Sequence, residues 1–229
     1  MNNRLTKWIQ WLQMICDDVS ILATNRFIFN KVQLMIQSNT ALHKPSYFYN
    51  YLTDTYVTYS VIVIRRHLKP NKFREDGNIN ANWRKINNRS NDISLTRLLS
   101  EIHDTPELLS KEYFTTLYKT SPMIKYVEGD YINIYGGGTY INQEMVRDHL
   151  LELKKVTTNI EYFADKRLAH FDKGELNQLP RYEEIDICIK VLDRLCCKYL
   201  SIFHAEACDT LEATIQHNWA GIFKVPWLA

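Results

Sequence analysis

Two consecutive stretches of this chain repeat apolar residues every three or four positions, and they dictate a helical fold. The first runs Val146, Leu150, Leu153, Val156, Ile160, Phe163; the second runs Ile185, Cys188, Leu192, Leu195, Tyr199, Ile202. At about 3.6 residues per turn, each set lies on one side of a helix and needs a partner surface to cover it. A half-buried strand would alternate at every second residue, and neither stretch does. The spacing predicts one helix from about Asn142 to His170. A second follows Pro180, with Glu183 and Glu184 in its first turn, where acids meet the positive end of the helix dipole. The loop between them, Asp172 to Leu179, favours antiparallel packing of the pair.

The remaining chain is also helical in pattern. Residues 4–37 form one helix or two, with Trp8, Trp11 or Leu12, Ile15, Val19 and Leu22 at helical spacing. His43-Lys44-Pro45 is a break, because the residue before proline is pushed out of the helical region. A long helix from about Ser46 to His67 carries the stripe Phe48, Leu52, Thr55, Tyr59, Ile62. Four residues on is Arg66, with Arg65 beside it. Pro70 to Ser90 is a polar, basic loop holding Lys72, Arg74, Arg84, Lys85 and Arg89. Its Trp83 is either an ordinary loop residue or a platform on which a base stacks while the cations hold phosphates. A short helix after Asp92 buries Leu95, Leu98, Leu99 and Ile102. Thr105-Pro106-Glu107 has the form of a helix start, with a threonine cap and proline at the first position. Residues 126–140, with Gly136-Gly137-Gly138, form a small hairpin or a plain loop. They lack the lysine and the spacing of a phosphate-cradling motif. Trp219 to Leu228 is an aromatic tail expected to lie against the rest.

The expectation is an all-α, antiparallel bundle with additional helices, forming a single domain over residues 1–229. Residues 1–140 supply N-terminal helices and loops, 141–208 a core helix pair, and 209–229 a packed tail. The chain's 229 residues suffice for a substantial core, and seven glycines with six prolines argue against a turn-rich β sandwich. A net charge of +2 does not by itself imply nucleic-acid binding. The five cysteines include no CxxC pair and no Cys/His metal spacing, so they read as free thiols of a reducing compartment, with no metal and no cofactor. Asp17-Asp18 interrupt the apolar N-terminus, and no run of about 18 apolar residues occurs. A cytoplasmic protein with no membrane association is expected.

The candidate site lies at the end of the first stripe. Four residues beyond Phe163 is Arg167, and three beyond that is His170, so a core-facing stripe ends in a cation and an imidazole. A buried, unpaired guanidinium is costly, so that end is either charge-paired or open to a cleft that an anion completes. The plainer alternatives are a dipole-stabilised terminal histidine, with Asp165 and Asp172 as salt-bridge partners of Arg167, Lys166, Arg65 or Arg66. Arg65 and Arg66 are either surface cations near a helix C-terminus or phosphate contacts.

The string Tyr162-Phe-Ala-Asp165-Lys166-Arg167-Leu-Ala-His170-Phe-Asp172 resembles the signature of the AbiU-type abortive-infection proteins, a branch of the HEPN superfamily of helical RNase and nucleotide-binding domains. Asp92-Ile-Ser94-Leu-Thr-Arg97-Leu-Leu and the closing Trp219-Ala-Gly-Ile-Phe-Lys-Val-Pro226-Trp227 agree with it, in the expected order. The resemblance implies a homodimer that brings two Arg/His motifs into one cleft, RNA as ligand, and a cognate antitoxin or other defence partner. It implies metal-free cleavage in which a ribose 2′-hydroxyl attacks the adjacent phosphorus, with His170 moving protons and Arg167 stabilising the phosphate. Asp165 is a further candidate acid or base, while Lys166, Arg65 and Arg66 are candidate phosphate contacts. Active relatives leave four to six residues between the arginine and the histidine, which puts the arginine at positions occupied here by Phe163, Ala164 and Asp165. Here Arg167 stands three before His170, Lys166 four before, and Asp165 five before, where many relatives carry arginine. A non-catalytic module that binds RNA, a nucleotide or a partner protein is the alternative.

Overall fold

A computed structural model describes residues 3–44, 46–68, 72–74, 76–80, 83, 92–164 and 180–224. Among them are seven α-helices: α1 (Asn3–Ser38), α2 (Tyr47–Leu68), α3 (Leu95–Asp104), α4 (Lys111–Leu117), α5 (Val127–Tyr135), α6 (Gln143–Phe163) and α7 (Tyr182–His204). Short 3-10 turns connect or follow them at Thr40–Leu42, Pro106–Leu108, Pro122–Tyr126 and Trp219–Lys224. Among the described residues there is no strand, only isolated bridges at Phe73–Ile79 and Ser110–Tyr140. The fold is all-α.

α7 sits at the centre because its apolar surface extends beyond one stripe. Besides Ile185, Leu192, Leu195 and Ile202, it buries Ile189, Val191, Cys196 and Phe203. α1, α2, α4, α5 and α6 all pack on it. Side-chain pairs fix the direction of α6 against α7. His149 meets Tyr199, Glu152 meets Arg194 at 2.5 Å, and Cys188 Sγ lies 2.9 Å from the Val156 carbonyl. Asn159 Nδ2 then donates to Glu184 at 2.8 Å. Numbers rising on one helix as they fall on the other make the pair antiparallel. α1 is one unbroken helix, and Trp8, Leu12, Ile15, Val19 and Leu22 are its buried stripe. Trp8 Nε1 donates to Glu101 Oε2 at 2.8 Å, so the indole satisfies its polar edge while tying α1 to α3.

The last carbonyls of α7 have no partner within the helix. Tyr135 Oη donates to the Ile202 carbonyl and Tyr113 Oη to the Phe203 carbonyl, both at 2.8 Å. α4 and α5, with Phe114, Tyr131 and Tyr135 in mutual ring contact, thereby close that end of the bundle.

Four local expectations change. Residues 127–135 are helical rather than a hairpin; the glycines come after, with Gly136 ending α5 at φ 83. That left-handed cap is why glycine stands there. Thr105-Pro106-Glu107 does start a helix, but only the 3-10 turn Pro106–Leu108, and the Thr105 side chain does not cap it: Oγ1 donates back to the Glu101 carbonyl at 2.8 Å, and Ser110 caps the next α-helix. α2 turns a different face inward, burying Tyr56, Ser60, Val63, Ile64 and His67 while Phe48 and Ile62 are nearly half exposed. In the stretch read as a solvated basic loop, Lys72 and Trp83 are each only 4% exposed. Trp83 therefore offers no free ring face for a base.

The α6–α7 contact carries a pH dependence. Burial is the main cause that pulls the His149 imidazole down to about 4, and it keeps the Tyr199 phenol protonated. The neutral ring shares a hydrogen bond between its Nδ1 and Tyr199 Oη at 3.1 Å. The unfolded chain takes up a proton near pH 6.5 that the folded chain refuses until about 4. Stability therefore falls as pH drops through that window, by roughly 3 kcal/mol at most from this group. Urea unfolding at pH 7 and pH 4.5 should show the loss in the wild-type protein. His149→Leu should be weaker at pH 7, with Tyr199 unpaired, but should lose much less between the two pH values.

Candidate functional site

The inward stripe of α6 reaches Phe163 and Ala164, both buried. The Asn159–Glu184 hydrogen bond sets this end of α6 beside the first turn of α7. The candidate catalytic residues Asp165, Arg167 and His170, with Lys166 and Asp172, come next in sequence and lie outside the described residues.

The surroundings of that end are aromatic and charge-paired. Phe29 of α1 stacks on Tyr56 of α2 with centroids 4.0 Å apart, and Tyr182, at the start of α7, tilts against Phe29 at 5.7 Å. A cavity of about 310 Å³ opens among these rings, Asn30, Glu183 and Asp186. Burial pushes the Tyr56 phenol up to about 12, so it is a proton donor rather than a base at neutral pH. Arg26 is held between Asp186, at 3.6 Å, and Glu212, at 3.2 Å. Rings with hydrogen-bonding groups at their rim suit a flat polar ring better than a bare phosphate.

Arg65 and Arg66 are not at this end. Arg66 Nη1 donates to Asp18 Oδ2 at 2.7 Å, and its side chain is 54% exposed. It stands on the outer face of α2, not on the inward stripe, and Arg65 beside it is half-buried. Asp18 precedes Phe29 by eleven residues of the same helix, about 16 Å of rise. The α2 arginines are therefore some three turns away from the end of α6. This favours their reading as helix-terminal cations over that of phosphate contacts for the motif.

Two polar clusters had no signal in the apolar spacing. In the first, buried His67 places Nε2 3.0 Å from Asp18 Oδ2. The hydrogen bond from His67 is the largest cause that holds the Asp18 carboxyl below the usual range, and Arg66 adds to it. In the second, Lys72 Nζ donates to Asp104 Oδ1 and lies 2.9 Å from His103 Nδ1. Burial opposes ionisation of Asp104, but hydrogen bonds from His103, Lys72 and Trp83 outweigh it and leave its pKa at about 2. Both clusters join distant segments, so a reading along one helix at a time could not pair them.

Among the described residues no group of three or more His, Cys, Asp or Glu side chains is placed to hold a metal. None of their helices is long and apolar enough to cross a membrane. Comparison of the chain with family models, curated proteins and solved structures gives no match.

Asp18 is expected to matter more through His67 than through Arg66. Asp18→Ala leaves a buried imidazole without its partner and should cost about 1–3 kcal/mol. Arg66→Ala removes only an exposed ion pair and should cost under about 1 kcal/mol. Chemical denaturation of the two variants checks the order, and an equal or reversed order would contradict it.

Proposed function

We propose that this protein is a HEPN-type helical module that acts on RNA as a metal-independent endoribonuclease of the abortive-infection kind. The observation that carries the reading is the antiparallel α6–α7 pair, with the core-facing stripe of α6 running to Phe163, four residues before Arg167. A stripe that continues into arginine and histidine supports a reactive end rather than a closed core.

In this reading the 2′-hydroxyl of one nucleotide attacks the adjacent phosphorus and the 5′-oxygen leaves. His170 transfers the proton, as an imidazole that titrates near neutrality. Arg167 stays charged and offers a planar fork of donors to the crowded phosphate, with Lys166 as a second cation. Two copies of the chain face their motifs into one cleft. Asp165 pairs with a neighbouring cation or assists proton transfer. No cofactor takes part.

A second reading is a non-catalytic module that binds RNA, a nucleotide or a partner protein as regulator or antitoxin. Asp165, standing where many relatives carry arginine, favours it.

Purified protein incubated with total RNA in EDTA separates the two. The first reading requires cleavage that leaves 2′,3′-cyclic phosphate ends. His170→Ala should slow it by about 100-fold or more with the fold intact. Absence of cleavage by the wild-type protein, or equal cleavage by the variant, contradicts it; RNA binding without turnover establishes the second.

A further inference from the structure

We propose that Cys197 and Cys208 are a reactive thiol pair that closes to a disulfide in the presence of hydrogen peroxide, Cys208 reacting first. Their sulfurs lie 2.7 Å apart, about 0.7 Å beyond a formed S–S bond. Contact on this scale between a helix and the segment after it needs fixed geometry, and Asp193 supplies it. One turn before Cys197 on α7, the buried Asp193 carboxylate accepts from Thr210 Oγ1 at 2.7 Å and from the Leu211 amide at 2.6 Å. The same segment is fastened to α1. Ser20 Oγ donates to the Leu211 carbonyl at 2.7 Å, and the Ala213 amide donates to Thr24 Oγ1 at 3.2 Å. Cys208 is thus held over Cys197 from both sides.

The two thiols differ in access. Cys197 is buried, whereas Cys208 is the one cysteine of the five that reaches solvent. Burial pushes the Cys197 thiol up, and Cys208 and Asp193 add to the effect, so Cys197 is the poorer first nucleophile. Peroxide meets Cys208, whose sulfur takes one oxygen to become a sulfenic acid as the first water leaves. Cys197 sulfur then attacks the Cys208 sulfur and the S–O bond breaks. The departing hydroxide takes the Cys197 proton as the second water. Two thiols lose two electrons, and peroxide gains them.

The 229-residue chain, reduced and then treated with a small excess of hydrogen peroxide, should fall from five titratable thiols to three. Trypsin should then release Leu195–Lys198 joined to Tyr199–Lys224, a bond that dithiothreitol reverses. Cys196→Ser should still form the link. Cys197→Ser should not, and should leave Cys208 open to capture by dimedone. Cys208→Ser changes a solvent-reached position outside the core, so it keeps the fold and should also lose the link. Five thiols surviving in the wild-type protein, or a link persisting in Cys197→Ser or Cys208→Ser, would overturn the proposal.

Discussion

The structure depends on how α7 is covered. An amphipathic surface helix needs one neighbour, but a helix that buries Ile185, Ile189, Val191, Leu195, Cys196 and Phe203 together needs neighbours on several sides. α1 and α6 run antiparallel to it, α2 fills between them, and α4 and α5 close its C-terminal end. Each fully buried aliphatic side chain contributes about 1.5–3 kcal/mol relative to exposure, so a helix this apolar is unstable until all its neighbours are present. Several polar groups that enter this core are matched, His149 to Tyr199, and Asp193 to Thr210 and Leu211.

The same rule explains what was legible in the sequence. α1, α6 and α7 carry long stripes interrupted by charged residues, so their spacing identified the buried side chains directly. α2 misled because Val57, Val61, Ile62, Val63 and Ile64 provide apolar residues on every side. Its true inward face also includes Ser60 and His67, which a hydrophobic pattern discounts. Residues 127–135 misled differently. Gly129 and Asp130 are poor helix formers, yet Tyr131 and Tyr135 are held by Phe114, and tertiary packing overrides the local preference. Trp83 and Lys72 were read from a polar neighbourhood, but the carboxylate that draws both inward, Asp104, lies on another segment.

Of the candidate site, the approach was legible and the surrounding electrostatics were not. The stripe of α6 leads to Phe163 as its spacing required, and the aromatic group of Phe29, Tyr56 and Tyr182 gathers at the same end from three helices. The cations near this bundle are largely committed to structure: Arg26 to Asp186 and Glu212, Arg66 to Asp18, and Lys72 to Asp104. Exposed Arg181, at the start of α7, belongs to the same end of the bundle. The functional question is whether the Arg167 and His170 stretch meets RNA.

That question is answered most directly by watching His170 while RNA binds. An RNA whose 2′-hydroxyls are replaced by hydrogen cannot be cleaved, so the imidazole resonances of the intact protein can be followed by NMR during its addition. His170→Gln assigns the signal, and buried His149 serves as an internal reference. Arg167 and His170 as an RNA site predict a saturable shift of the His170 resonance that leaves His149 in place. RNA binding with an unmoved His170 signal, or no binding at all, would contradict the account.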